Sequence, residues 1–263
     1  HEMERLLLRK VRLSRLDAHA TDSVDSRGAS RSIDERNETG QIRNEPHPNL
    51  LCLLAEEKQV ETREWRCLGL PFVEGGELFE YVKKKQCLNE DECRSMARDI
   101  AKGLYHLHTK IGFCHNDISL ENVLLRGDLK TPVICDYGLA QEIGSVWNVN
   151  KQVSGKLPYQ APEIYSATAK VALPSADVFS FGVALFVMLA GIPPFEVPDP
   201  LHDMRYKYIQ CGKMKKLLEL WRIRLSDHAI NLLTGMLSHD PRQRMTMEKV
   251  FAHEWMQDDR LRF

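Results

Sequence analysis

Between Val178 and Phe195 the chain carries almost no polarity. A segment that is apolar on every side belongs inside a protein or inside a bilayer. This run is shorter than the roughly 20 residues a bilayer requires, begins at Asp177 and is broken by Gly191 and Pro193-Pro194, so it reads as a buried core helix over Asp177 to Ala190. Ser175 is placed to cap it and Gly191 to stop it. Helical spacing recurs around it. Asn89 can cap a helix with Glu92 set for a reciprocal bond, and Met96, Ala97, Ile100, Ala101 and Leu104 then line one face. Leu201 to Cys211, Asp227 to Leu237 and Thr246 to Ala252 repeat the pattern.

The first quarter reads differently. Leu6 to Leu13 alternate bulk with Arg9, Lys10 and Arg12, as a half-buried strand would. Ser14 to Ser32 is rich in Ser, Asp, Arg and Ala and reads as a mobile polar insertion. Leu50 to Ala55 and Glu64 to Leu70 read as two strands joined by a charged turn at Glu56 to Gln59. A length of 263 residues fits one large domain or two lobes sharing a cleft. The net charge of -1, with acids and bases interspersed, argues against nucleic acid or a membrane surface as main partner. Seven cysteines, an odd number without a C-x-x-C pair, read as free thiols in a reducing compartment, the cytoplasm or the nucleus. No signal peptide is visible after His1.

Chemistry concentrates in His115-Asn116-Asp117-Ile118-Ser119-Leu120-Glu121-Asn122 and in Asp136-Tyr137-Gly138, each beside a short apolar run. Carboxylates and an amide on adjacent loops can hold Mg²⁺, a hard cation that takes oxygen ligands and binds beside phosphates. A carboxylate not committed to metal can accept a hydroxyl proton.

The first of these stretches resembles the protein-kinase catalytic loop, and Asp136-Tyr137-Gly138 resembles that family's D-F-G. The run Pro71 to Phe79 looks like the hinge and the start of the next helix. Leu139 to Pro162 would be the activation segment, Ala161-Pro162-Glu163 resembles A-P-E, and Asp240-Pro241-Arg242-Gln243-Arg244 resembles the closing D-P-x-x-R. The resemblance implies an α+β, two-lobed kinase-like fold: an incomplete β-rich N-lobe over residues 1–75 and a helical C-lobe over 76–263. It also implies an N-terminally truncated domain, since little chain precedes Lys10 and no G-x-G-x-x-G occurs. The C-lobe resembles most the calcium/calmodulin-dependent group, without its regulatory tail.

By the same resemblance the activity would be transfer of the γ-phosphate of Mg-ATP to a Ser or Thr hydroxyl of a protein, by a monomer. The alternative is a pseudokinase that binds ATP or acts as a scaffold. Asp117 would take or orient the acceptor proton, while Asn122 and Asp136 would hold Mg²⁺. Lys10 would be the strand lysine, with Arg9 its rival, and Glu38 its glutamate partner, with Glu45 a competitor. Leu70 would be the gatekeeper, adenine would bind the carbonyl of Pro71 and the N–H and C=O of Val73, and Leu124 would complete the nucleotide site. Glu77 and Glu121 match positions that receive arginines upstream of the acceptor, which implies a modest preference for basic peptides. An ion pair between Arg244 and Glu163 is expected.

Three departures matter. Asn116 replaces the arginine of H-R-D, so the usual route for control by a phosphate on the activation segment is missing. Ser119 stands where the family has a lysine, and Lys156 stands where it has a threonine. Both family residues converge on the catalytic carboxylate, so the expectation is that the ammonium has moved to Lys156, opposite the Ser119 hydroxyl.

Overall fold

The computed structural model describes residues 6–12, 45–52, 55–58, 65–146, 156–169 and 172–257, with backbone alone for 6–12, 55–58 and 65–69. The polar stretch from Ser14 to Ser32 and Glu38 lie outside the described residues.

Three strands, β1 (Leu6–Arg12), β2 (Ala55–Lys58) and β3 (Trp65–Pro71), form an antiparallel sheet in the order β1-β3-β2. In its register Leu7 stands opposite Leu70 and Lys10 opposite Cys67. The strand expected at Leu50 to Ala55 instead begins at Ala55, and Glu56 to Lys58, expected in a turn, pair with Arg66 to Leu68. An edge strand tolerates charged residues that a central one would exclude, because one side of it pairs with nothing.

Beyond the sheet the chain is helical, with α1 (Leu78–Lys85) and α2 (Glu90–His106) first. Asn89 caps α2 by accepting from the Glu92 amide at 2.9 Å. The expected return bond is not made. The Glu92 carboxylate takes the Tyr81 hydroxyl and the Lys85 ammonium, each at 2.6 Å, because both project to it from α1. Met96, Ala97, Ile100, Ala101 and Leu104 are buried as the spacing requires. A wide turn over Leu107–Ile111 then delivers the chain to β4 (Phe113–Cys114).

Two small ribbons follow. The strand β5 (Val123–Leu125) pairs with β6 (Pro132–Ile134), and β4 pairs with β7 (Gln141–Glu142). A short helix, α3 (Pro162–Tyr165), leads to α4 (Pro174–Ala190), in which fourteen of seventeen residues are buried, so this helix is the centre about which the others pack. Its cap is Leu173 with Pro174 in the first turn; Ser175 lies inside the helix, and its carbonyl accepts from Arg244 at 2.8 Å. Gly191 ends α4 with φ +74°, and a β-carbon there would fall 1.9 Å from the Gln86 carbonyl oxygen, so only glycine fits.

The remaining helices are α5 (Met204–Gln210), α6 (Met214–Trp221), α7 (Asp227–Met236), α8 (Met247–Ala252) and α9 (Glu254–Gln257). Trp255 of α9 is buried, and its carbonyl accepts from Arg94 Nε at 2.7 Å. Among the described residues no helix is long and apolar enough to cross a membrane.

Candidate active site

The site is built outward from Asp177, the single acid at the head of the apolar helix. Its buried carboxylate accepts from His108 Nε2 at 2.8 Å and from the backbone N–H groups of His115 and Asn116, each at 2.7 Å. Burial alone would raise the Asp177 pKa, but the His108 hydrogen bond and the neighbouring donors outweigh it, so the carboxyl is held below its usual range and remains charged. These bonds fix the backbone just before Asp117. Asn116 sits there in the left-handed region, φ +64°.

His115 continues the frame. Its Nδ1 accepts the Asp117 N–H at 3.3 Å, so its proton is on Nε2, which donates to the Cys135 carbonyl at 3.1 Å. One imidazole thus ties the segment bearing Asp117 to the segment bearing Asp136. The β5–β6 ribbon makes the same join on the other side: Val123 faces Ile134, and the Cys135 N–H donates to the Asn122 carbonyl at 2.9 Å. Asn122 and Asp136 are therefore delivered to one end of one ribbon.

The Asn122 amide nitrogen donates to the Asp117 carbonyl at 2.7 Å and to Asp117 Oδ2 at 2.8 Å. Both acceptors fix which end of the amide is nitrogen, so Oδ1 is directed elsewhere. An amide oxygen and the Asp136 carboxylate are hard donors of the kind that Mg²⁺ takes together with phosphate oxygens and water. The residues fit such an ion. Among the described residues no group of three His, Cys, Asp or Glu side chains could hold a metal by itself, so phosphate or water oxygens would complete the shell.

The hinge stretch lies against the same ribbon. The Gly75 N–H donates to the Leu125 carbonyl, and the Leu125 N–H to the Gly76 carbonyl, each at 2.8 Å, while Glu77 bridges to Leu124. A β-carbon on Gly75 would fall 2.4 Å from the Leu125 oxygen, so the approach requires glycine. Leu70, Pro71 and Val73 precede this junction in the chain, each half-buried. The Val73 carbonyl accepts only a long bond, 3.5 Å, from Gly76, and its N–H has no partner among the described residues.

The Lys156 ammonium donates to the buried Ser119 hydroxyl at 2.9 Å and stands 3.5 Å from Glu121 Oε2. The two residues read from the sequence as an exchanged pair are thus in contact. Asn116 donates from its amide to the Leu139 carbonyl at 3.0 Å and so fastens the start of the activation segment without a charge. Arg244 makes the expected pair with Glu163, through two bonds of 2.7 and 2.9 Å. Of Lys10 only the backbone in β1 is described.

Sequence reasoning missed Asp177, His108 and the Lys156–Glu121 contact. A signal for the first was available, since one acid heading an otherwise apolar helix needs a buried purpose.

The protein kinase domain family matches residues 17–256, beginning after β1. The chain is 32% identical over 219 residues to the serine/threonine-protein kinase DCLK3 of Mus musculus, covering 82% of this chain and 26% of that protein. It is 32% identical over 210 residues to the serine/threonine-protein kinase SRK2C of Arabidopsis thaliana, covering 80% and 59%. It is 31% identical over 198 residues to the maternal embryonic leucine zipper kinase of Xenopus tropicalis, covering 75% and 29%. The chain thus spans between about a quarter and three fifths of the length of these relatives. The match over residues 17–256 identifies the chain as a member of the protein kinase domain family, with the two-lobed α+β fold of that family.

Proposed function

We propose that this chain transfers the γ-phosphate of ATP to a Ser or Thr hydroxyl of a protein. The observation that carries the proposal is the clamp of Asn122 on Asp117, at the same end of the ribbon as Asp136. In this reading Asp117 accepts or orients the hydroxyl proton, and the clamp holds its carboxylate in one rotamer. Asn122 Oδ1 and Asp136 would hold Mg²⁺, which when bound neutralises charge on the phosphates. Lys156, in contact with Ser119, would bring positive charge to the loop of Asp117.

Leu70, Pro71, Val73 and Leu124 form the nucleotide-facing surface of the hinge and ribbon. Lys10 and Glu38 are the proposed cation and its partner on the phosphate side, with Arg9 and Glu45 as their alternatives. We place the lobe boundary near Gly76. Glu121 is engaged by Lys156, so any preference for arginine upstream of the acceptor rests mainly on the exposed Glu77. The odd count of seven cysteines, with no C-x-x-C pair, supports a reducing compartment, cytoplasm or nucleus, and a monomer is the assembly proposed.

The test is transfer of labelled phosphate from ATP to a peptide array by the full chain beside its Asp117→Asn variant. Transfer by the parent and background by the variant is expected. Equal signals would overturn the proposal, and equal use of peptides with and without upstream arginine would remove the role of Glu77.

A further inference from the structure

Tyr137 carries a hydroxyl where the matching motif has phenylalanine, and the proposed chemistry makes no use of it. The ring is buried and packs against His115, with centroids 5.4 Å apart. Its hydroxyl donates to the Ile134 carbonyl at 2.9 Å, across a loop of two intervening residues, one of which is Asp136. The same carbonyl accepts the Leu51 N–H at 2.8 Å, and the Ile134 N–H donates to the Asn49 carbonyl at 2.8 Å. Ile134 is therefore a junction of three segments: residues 49–51, the end of β6, and Tyr137.

Asp136, between the junction and the ring, has φ +64°. Non-glycine residues seldom adopt this conformation, and surrounding contacts must hold it. Before it, the Cys135 N–H donates to the Asn122 carbonyl and the Cys135 carbonyl accepts from His115 Nε2. After it, the Gly138 N–H reaches Asp136 Oδ1 at 3.4 Å, and the phenol adds its bond to Ile134. A phenylalanine would fill the space without the phenol's bond.

We propose that the Tyr137 hydroxyl is a positioning group that pins the backbone on the far side of Asp136 and so keeps that carboxylate beside Asn122. Departure of the ring would strip the phenol of a buried acceptor, an opposition that phenylalanine lacks. The latch rests on the reading of Asp136 as a metal ligand for its functional consequence, but its mechanical part does not.

The experiment compares the full chain with Tyr137→Phe by two measurements. The first is amide hydrogen exchange over residues 135–139 without nucleotide or metal. The second is the Mg²⁺ concentration that half-saturates binding of a non-hydrolysable ATP analogue, read by calorimetry. Tyr137→Phe is expected to speed the exchange by about 5- to 10-fold, the ratio that one buried hydrogen bond supports, and to raise the half-saturating Mg²⁺ severalfold. Unchanged exchange would overturn the latch. A fall in melting temperature with unchanged half-saturating Mg²⁺ would reduce Tyr137 to a packing residue and overturn the positioning role. A parent chain that binds no nucleotide would defeat the proposed function instead, while the exchange rates still decide the latch.

Discussion

Lys156 and Ser119 are in contact, and in the proposed function this pair keeps a charge at the catalytic loop while changing the residue that carries it. The ammonium lies 2.9 Å from the serine hydroxyl, so exchanging the two side chains reverses the donor and acceptor and leaves the contact in place. That symmetry makes a sharp prediction. Lys156→Thr removes the cation and should lower kcat on the order of 10²-fold, as loss of a charge-stabilising group does. Adding Ser119→Lys to that variant should restore most of the rate, because the ammonium returns to the same spot from the other side. Steady-state kinetics of the parent, both single variants and the double variant decide it; a double variant no better than Lys156→Thr would sink the exchange. The contact was legible in the sequence because two departures fell at positions that the family brings together. The approach of Lys156 to Glu121 was not, since a long flexible side chain among several acceptors has no sequence signature.

At the scale of elements, one long-range fastening is the bidentate pair of Arg244 with Glu163. It joins the turn after α7 to α3, at the end of the activation segment. The Arg244 guanidinium has no exposed side-chain surface and also reaches the carbonyls of Ser175 and Ser238. Breaking such a buried pair leaves an uncompensated charge, so Arg244→Met should cost about 3–5 kcal/mol in chemical denaturation. Glu163→Gln in the same background should then add little, because the pair shares one interaction. Additive losses would show that the two side chains act separately. This pair was read correctly from two motifs 81 positions apart. Other elements were less legible. The strand β2 was misplaced because Glu56, Glu57 and Lys58 look like a turn, and only its place at a sheet edge explains them. The helix α6 was overlooked although Met214, Leu217, Leu218 and Trp221 have helical spacing, because a single eight-residue segment gives a weak periodic signal.

Across the whole molecule, stability against acid should depend on two carboxylates that link distant parts. Glu90, at the start of α2, accepts from the Ser226 backbone and hydroxyl at 2.6 and 2.7 Å and from the Trp255 indole at 2.8 Å, joining α2, α7 and α9. Asp177 joins α4, the turn after α2 and the catalytic loop. For both groups burial pushes the pKa up and the hydrogen-bond donors more than offset it, so both sit below their ordinary values in the folded chain. A carboxyl with a depressed folded pKa stabilises fully above its unfolded value, near pH 4, and that contribution is lost as pH falls through the folded pKa. The 36 basic side chains stay charged while 37 acids are being neutralised, so repulsion grows in the same window. Melting temperature should thus be level from pH 7 to about 5 and fall steeply below 4. Asp177→Asn should melt well below the parent at pH 7, because the remaining amide cannot serve all three donors as a carboxylate does. The gap should narrow as pH drops, since the parent then carries a protonated, amide-like acid at the same place. A gap that stays constant from pH 7 to 3 would mean that residue 177 acts through its shape, and that its charge does not organise the loop bearing Asp117.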